Sequence, residues 1–288
     1  MNFSTMTVSF PVDEETFEEI THVCTAATAV DMVNYTMVMN LEMAKSYEAK
    51  GFFVLLYNDA TNELAGVASA IDLMGLNTYE WSLVVTPMYR NIGLADSLLR
   101  VLYDGLNARG AEGALALAVE SETYGRRYLE SRGFSYSFSE ATFEMKAEPK
   151  TGGKVNVRPF LESDTEAVVA IFMQAFGDMR EEALDLIEFN THSVELTMWV
   201  AEVAGKVVGT VTTRKDSDVQ WVTAFAVSAA MQGQGIGTEV LQWVQNYAYH
   251  EGEKLVMLDV EIDNEQALHV YERAGFTKSV QIDYFVKI

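Results

Sequence analysis

The chain of 288 residues carries one sequence pattern twice, and this repeat limits the available folds more than any other feature. An offset of 142 residues superposes a glycine-containing loop and a later Gly-Phe pair on their counterparts, with no gap between them. The matched pairs are Arg90 with Gln232, Gly93 with Gly235, Ala95 with Gly237, Gly133 with Gly275 and Phe134 with Phe276. Agreement at both ends of a long ungapped span predicts two copies of one domain.

The repeat and the composition together give the domain limits. A polar stretch at residues 148–154 contains Gly and has no apolar period, so we expect it to be a linker. The first domain is then predicted at 1–147 and the second at 155–288. In each, strand and helix patterns alternate, which predicts an α/β fold with a mostly antiparallel mixed sheet flanked by helices. Alternating apolar residues at 134–138 and 143–145 predict two further short strands.

The second glycine loop, residues 232–238, lies between an apolar run at 221–227 and a helical pattern. Glycine allows the backbone to approach a ligand closely, and a helix start supplies unpaired N–H groups and a positive dipole end. Such a loop suits phosphate oxygens. On its own, however, a Gly-x-Gly-x-Gly sequence fits a tight turn as well as it fits a phosphate-binding loop.

Charge and composition exclude several classes of protein. The net charge is −22 with no block of Lys or Arg, which argues against nucleic acid as a partner. No apolar run approaches the roughly 20 residues that cross a membrane, and Cys24 is the single cysteine. We therefore expect a soluble cytoplasmic protein without an intrachain disulfide. The four histidines have no metal-ligand spacing, so no metal is expected; they are His22, His192, His250 and His269.

A second motif follows the second glycine loop and a predicted strand. It consists of Asn264, Ala267, Tyr271, Gly275 and Phe276. With both motifs in order, residues 155–288 resemble the GNAT superfamily of acyl-CoA-dependent N-acetyltransferases. The loop signature of that family is Arg or Gln, two residues, Gly, one residue, then Gly or Ala. The division into two copies is similar to that of tandem members of the family.

This resemblance implies acetyl-CoA as co-substrate and a role for each matched position. The backbone of the second glycine loop would bind the CoA pyrophosphate, the end of the preceding strand would pair with the pantetheine arm, and Asn264 would steady that arm. Tyr271 would be the general acid that protonates the departing thiolate, since a phenol can return a proton to a sulfur of lower pKa. The implied cofactor-binding residues are Phe225, Ala226, Val227, Gln232, Gly233, Gln234, Gly235, Ile236, Gly237, Thr238 and Asn264.

The acceptor amine also requires a base, which the strand at 256–261 can supply. Its period of two puts Leu258 and Val260 on one face and Asp259 and Glu261 on the other. Asp259 is our candidate, acting directly or through water, because several family members carry an acid at this point. Gln220 and Thr223 on the preceding strand offer no carboxylate.

The first copy keeps the loop but departs from the catalytic pattern. Its first glycine loop consists of Arg90, Asn91, Ile92, Gly93, Leu94 and Ala95 and is a candidate second CoA site. The offset puts Leu129 where the second copy has Tyr271, and Glu122 where it has Asn264. Leucine cannot donate a proton, and Tyr128 is turned about 100° around a helix. We expect this copy to be catalytically silent.

Two other interpretations stay open at this point. A dinucleotide-binding unit would explain Gly233, Gly235 and an acid about 20 residues on, but its third glycine falls at Thr238. A non-catalytic acyl-CoA sensor would use the same loop without turnover. The expected acceptor is a small amine or a peptide, and formation of a homodimer is an open alternative.

Overall fold

Helices and strands alternate along the chain in the computed structural model, which describes residues 2–73, 75–121, 123–150 and 152–287. The strands are β1 Phe3–Ser9, β2 Lys50–Asn58, β3 Glu63–Asp72, β4 Thr78–Val85, β5 Gly113–Val119, β6 Phe134–Lys146, β7 Asn156–Pro159, β8 Leu196–Val203, β9 Lys206–Asp216, β10 Val219–Val227, β11 Leu255–Glu261 and β12 Thr277–Lys287. The helices are α1 Glu14–Asp31, α2 Tyr35–Val38, α3 Leu94–Ala108, α4 Thr123–Ser131, α5 Thr165–Phe176, α6 Arg180–His192, α7 Ile236–His250 and α8 Glu265–Ala274.

The chain divides into two compact units whose limits differ from those of the repeat. Unit 1 runs up to Ser139 and includes the chain from Gln281 onward, and unit 2 is Glu140–Val280. The difference arises because β6 is one continuous strand rather than the two short strands predicted. Its residues 140–146 pair with β11 in unit 2, whereas residues 282–285 of β12 pair with β5 in unit 1. The sequence-based boundary at 148–154 stays a prediction for where the second copy begins.

Unit 1 has a mixed sheet with a hydrophobic core on each face. Strands β1 to β4 pair antiparallel in chain order, and β4 pairs parallel with β5. The period of two along β2 assigns Phe52, Val54 and Leu56 to a core shared with α3, and Phe53 and Leu55 to a core shared with α1.

Unit 2 repeats this arrangement. Strands β7 to β10 pair antiparallel in chain order, and β10 pairs parallel with β11. Helix α7 contributes Val240, Leu241 and Val244 to the core on one face, at the i, i+1, i+4 spacing of a buried stripe. Helices α5 and α6 cover the other face, where Phe172 and Ile187 are buried.

Two irregularities open the sheet of unit 2. The parallel pairing of β10 with β11 joins Val219–Trp221 to Leu255–Met257, at the start of both strands. Farther along, β10 has a bulge between Thr223 and Ala226, and Ala224 has a φ of +44°. The extra residue reverses the pleat, so Val222 packs on the α7 side and Ala226 on the α5 side. A cleft forms where β10 is bulged.

Candidate active site

A cleft of about 860 Å³ in unit 2 is lined by all but one of the cofactor-binding and catalytic residues predicted for the second copy. Its walls are the end of α5, residues 222–227 of β10, the second glycine loop, residues 258–261 of β11 and one face of α8. The exception is Gln234, whose side-chain amide donates to the Ala230 carbonyl oxygen (Nε2···O 3.3 Å). The remaining predicted positions of the second copy, including Asp259 and Tyr271, line this one cavity.

The second glycine loop has a backbone that requires glycine. Gly233 and Gly235 have φ of +74° and +83°, in the left-handed region that side chains disfavour. A Cβ at either position would find no atom within 4 Å, so the space above the loop is open. Gly235 is the N-cap of α7 and provides no side-chain cap, so the first N–H groups of that helix lie beside the loop without a partner inside the helix.

Side chains of the loop and of α8 hold the loop in place. The Gln232 side-chain amide donates to the Val227 carbonyl oxygen (Nε2···O 3.1 Å), and Gln266 of α8 donates to Gln232 Oε1 at 2.8 Å. Gly237 lies so close to α8 that a Cβ there would be 3.2 Å from Val270 Cγ1. Loop and helix therefore form one supported wall.

The bulge provides main-chain groups beside the loop. Ala224 and Phe225 together stand opposite Val211, so part of their main chain lies outside the ladder between β9 and β10. Asn264, across the cleft, caps α8 by accepting a hydrogen bond from the Ala267 N–H at 3.1 Å. Its side-chain NH2 group makes no hydrogen bond to any residue that the structure describes, so it is available as a donor.

Tyr271 is held among aromatic rings on α8. Its side chain is 8% exposed and packs against Phe143, Phe225 and Phe276, with ring centroids 6.0–6.4 Å apart. Burial raises the pKa of Tyr271 to about 12. Within the part of the chain that the structure describes, its hydroxyl makes no hydrogen bond to protein, so it can serve a ligand in the cleft.

Asp259 projects from the opposite face of β11, as the alternation predicts. Leu258 and Val260 are buried, whereas Asp259 is exposed to the cleft. The Thr142 hydroxyl donates to Asp259 Oδ1 at 2.6 Å. Loss of hydration nevertheless raises the pKa of Asp259, and the Thr142 hydrogen bond and the Arg214 charge oppose this shift only in part. A raised pKa makes the carboxylate a stronger base.

The first glycine loop differs from the second in the contacts of its first residue, which is Arg90 instead of Gln232. Arg90 Nε donates to the Val85 carbonyl oxygen at 3.0 Å, while its two Nη atoms contact both Asp31 oxygens at 2.8 and 2.6 Å. Leu129 is buried in the core of unit 1, and the Tyr128 hydroxyl donates to Asp96. Glu122 lies outside the described residues.

The sequence did not identify several residues that line the cleft. Gln266, His269 and Arg273 follow the motif residues around α8 at helical spacing, which is the signal that could have revealed them. No spacing in the sequence indicated the bulge of β10. Among the described residues, no cluster of His, Cys, Asp and Glu could hold a metal ion, and no helix is long and apolar enough to span a membrane.

Comparison with known proteins identifies the family. Both copies match the Acetyltransferase (GNAT) family, over residues 20–134 and 165–276. The chain therefore belongs to this family, whose members use acetyl-CoA and act on amine acceptors. The resemblance inferred from the motifs and the α/β fold in two copies are both confirmed.

Individual relatives agree with this membership. A probable N-acetyltransferase named camello from Xenopus tropicalis is 33% identical over 104 residues, which are 35% of this chain and 48% of that protein. The chain thus spans about half the length of this relative and of its Xenopus laevis counterpart.

Solved structures share the fold across nearly the whole chain. A GCN5-related N-acetyltransferase from Sphaerobacter thermophilus has a TM-score of 0.73 at 19% identity, covering 97% of this chain and 94% of that one. The tandem GNAT protein from the clavulanic acid biosynthesis pathway has a TM-score of 0.66 at 14% identity and covers 98% of each chain.

Proposed function

We propose that unit 2 transfers an acetyl group from acetyl-CoA to a primary amine by direct attack. The observation that supports this most strongly is that the second glycine loop, the bulge of β10, Asp259 and Tyr271 line a single cleft. A phosphate site, main-chain groups for an extended arm, a base and an acid are the components that the reaction needs.

The residues fit CoA at each of these places. The open space above Gly233 and Gly235 and the first N–H groups of α7 suit the pyrophosphate. Main-chain groups of residues 225–227 would pair with the pantetheine arm, and the free amide of Asn264 would donate to it. In a dinucleotide-binding unit, by contrast, the contacts between the loop and α8 would have no role.

The chemistry requires three proton transfers. Asp259, directly or through a water molecule, removes a proton from the acceptor ammonium, and the resulting amine attacks the acetyl carbonyl carbon. A new C–N bond forms as the C–S bond breaks, and Tyr271 gives its proton to the departing sulfur. The nitrogen of the new amide loses its surplus proton through solvent, which also returns a proton to the Tyr271 phenolate. The pKa of Tyr271 is raised to about 12, so this hydroxyl carries its proton at neutral pH.

In this scheme unit 1 would have no catalytic role. It has Leu129 in place of an acid, and Leu117 and Val119 stand where unit 2 has Asp259 and Glu261. Its first glycine loop, Arg90 to Ala95, remains a second candidate for CoA binding. The proposed acceptor is a small amine or a peptide N-terminus.

A thiol-release assay tests the function. The full chain is incubated with acetyl-CoA and a panel of small amines and peptides, and free CoA is measured against a control without acceptor. We expect release that depends on one class of amine. If acetyl-CoA binds but no acceptor releases thiol above the control, the chain is an acyl-CoA-binding module rather than an enzyme.

A further inference from the structure

The sheet of unit 2 continues the floor of the cleft on the face from which Asp259 projects. Thr223 of β10 and Asp259 of β11 line the cleft. Trp221 and Met257 each precede one of them by two residues, so they lie on the same face, about 7 Å farther back along their strands. The register of the two strands places Trp221 directly beside Met257. An indole and a thioether are therefore neighbours close to the proposed base.

The hydrophobic cores do not use these two side chains. Both are half-buried, and among the described residues neither packs into the core on either face of unit 2. Val222 and Leu258, which follow them on the two strands and point to the opposite face, are buried against α7. A partly exposed tryptophan and methionine beside a proposed catalytic base offer a surface to the apolar part of a ligand.

Arg214 of β9 adds a positive charge beside these side chains. It is the register partner of Trp221 on the other side of β10, so it lies on the same face, about 10 Å across the sheet from Met257. Loss of hydration raises the pKa of Asp259, and the Thr142 hydrogen bond and the Arg214 charge oppose this shift. The guanidinium therefore acts at the position of the proposed base, within reach of a molecule that binds there.

No residue that the structure describes neutralises Arg214. Its half-buried guanidinium makes no ion pair or hydrogen bond to these residues, whereas Arg158 and Arg180 both bind carboxylates. The chain has 42 acidic and 20 basic residues, so acidic partners are abundant elsewhere. An uncommitted arginine suits bidentate contact with a carboxylate, and it repels a second ammonium group. The charge therefore favours an acceptor with a carboxylate over a polyamine.

The charged and apolar groups on this face fit one class of acceptor. Resting on the proposed function, we propose that the acceptor is an amino acid with an apolar side chain. Its amine lies at Asp259, its carboxylate binds Arg214, and its side chain packs against Trp221 and Met257. Arg214 is then a specificity-determining residue for the acceptor. A long peptide, whose carboxylate is distant from its N-terminal amine, would leave Arg214 unused.

Two acceptors that differ only at the carboxyl group test this assignment. Thiol release by the full chain with acetyl-CoA gives kcat/KM for phenylalanine and for phenylalaninamide, and the ratio of the two values reports the contact with the carboxylate. Arg214→Gln should lower this ratio about tenfold, mainly through a higher KM for phenylalanine, as loss of a charge-assisted hydrogen bond implies. The influence of Arg214 on Asp259 affects both acceptors alike and cancels in the ratio.

Two further variants separate the charge from the apolar surface. Lys206→Gln removes an exposed positive charge elsewhere on β9 and should leave the ratio unchanged. Trp221→Ala should lower kcat/KM for both acceptors several-fold, because each loses the same apolar contact, and should also leave the ratio unchanged. Thermal unfolding checks that all three variants are folded.

The outcomes distinguish this inference from the proposed function. The inference is overturned if Arg214→Gln keeps the ratio of the natural chain, if Trp221→Ala changes neither value, or if other amines release thiol and phenylalanine does not. If acetyl-CoA binds and no amine of any class releases thiol, the proposed function itself fails, and the inference fails with it.

Discussion

The two glycine loops have almost the same backbone but different surroundings. In the first loop Asn91 and Gly93 have φ of +63° and +87°, and in the second loop Gly233 and Gly235 have +74° and +83°. Arg90 and Gln232 both donate to the carbonyl oxygen of the valine that ends the preceding strand. Loop geometry alone therefore does not distinguish the copy proposed to be catalytic from the other.

The differences lie in the strand and helix that flank each loop. Strand β4 pairs with β3 from Gly66 to Ile71 without a register shift, whereas β10 has its bulge. In unit 1, Arg90 also forms an ion pair with Asp31. A carboxylate therefore lies beside the loop that would bind phosphate. The two copies thus share the backbone of the loop and differ in single side chains and in the bulge of β10.

The largest expected effect comes from charging one loop at a time. Gly235→Glu would put a carboxylate at a positive-φ position in the proposed phosphate site, and we expect CoA affinity to fall by at least about a hundredfold, as loss of several charge-assisted hydrogen bonds implies. Gly93→Glu is the matched control, since it introduces the same charge at nearly the same φ.

Calorimetric titration of both variants with CoA distinguishes the copies. We expect one CoA per chain for the natural protein and for Gly93→Glu, and no detectable binding for Gly235→Glu. If instead Gly93→Glu loses binding and Gly235→Glu retains it, the functional copy is unit 1. Two equal sites in the natural protein would mean that the first glycine loop binds CoA as well.

The next largest effect concerns the proposed acid. Tyr271→Phe removes the hydroxyl and keeps the aromatic packing, so kcat should fall by about a hundredfold, the lower range for general acid–base catalysis, while CoA affinity changes little. Tyr128→Phe removes the hydroxyl that binds Asp96 in unit 1 and should leave kcat unchanged. Steady-state thiol release measures both. Full activity of Tyr271→Phe would remove this residue from the acid role.

A smaller effect is expected at the proposed base, with a specific pH dependence. Asp259 must be ionised to accept a proton, so kcat/KM should decline as the pH falls through its pKa, which is raised above the ordinary 3.8. Asp259→Asn should lower kcat/KM about tenfold or more at neutral pH and abolish this acid limb. Glu261→Gln, two residues away on the same face, is the control. Retention of the limb in Asp259→Asn would assign the base elsewhere.

The sequence predicted the parts of the site that depend on local backbone rules. The second glycine loop was recognisable because a positive φ favours glycine, and α8 because the family motif from Asn264 to Phe276 spans it; the structure shows Asn264 as its N-cap and Gly275 as its C-cap. The bulge was missed because Ala224 adopts its φ of +44° without Gly or Pro to mark it, within a run that reads as one regular strand.

Contacts between residues far apart in the chain were not predicted from the sequence either. The Arg90–Asp31 pair joins residues 59 apart, and no pattern in either segment marks the other. The two strands predicted at the end of the first copy are one strand, because the polar residues Ser139 and Glu140 look like a turn but continue the pleat of β6. Pairing partners, rather than propensity, decide where a compact unit ends.

The smallest expected effect tests whether the Arg90–Asp31 pair is structural. The Arg90 guanidinium, through its hydrogen bonds, lowers the pKa of Asp31, so the pair stabilises the fold above the ordinary Asp range and this contribution is lost as the pH falls through the lowered pKa. Asp31→Asn should lower the free energy of unfolding by about 1.5 kcal/mol at pH 7, the low end for charged hydrogen bonds because Arg90 is 30% exposed. Thermal unfolding should show this deficit shrinking below about pH 4. CoA affinity and kcat should stay unchanged, and a clear rise in CoA stoichiometry would instead show that the pair blocks a working second site.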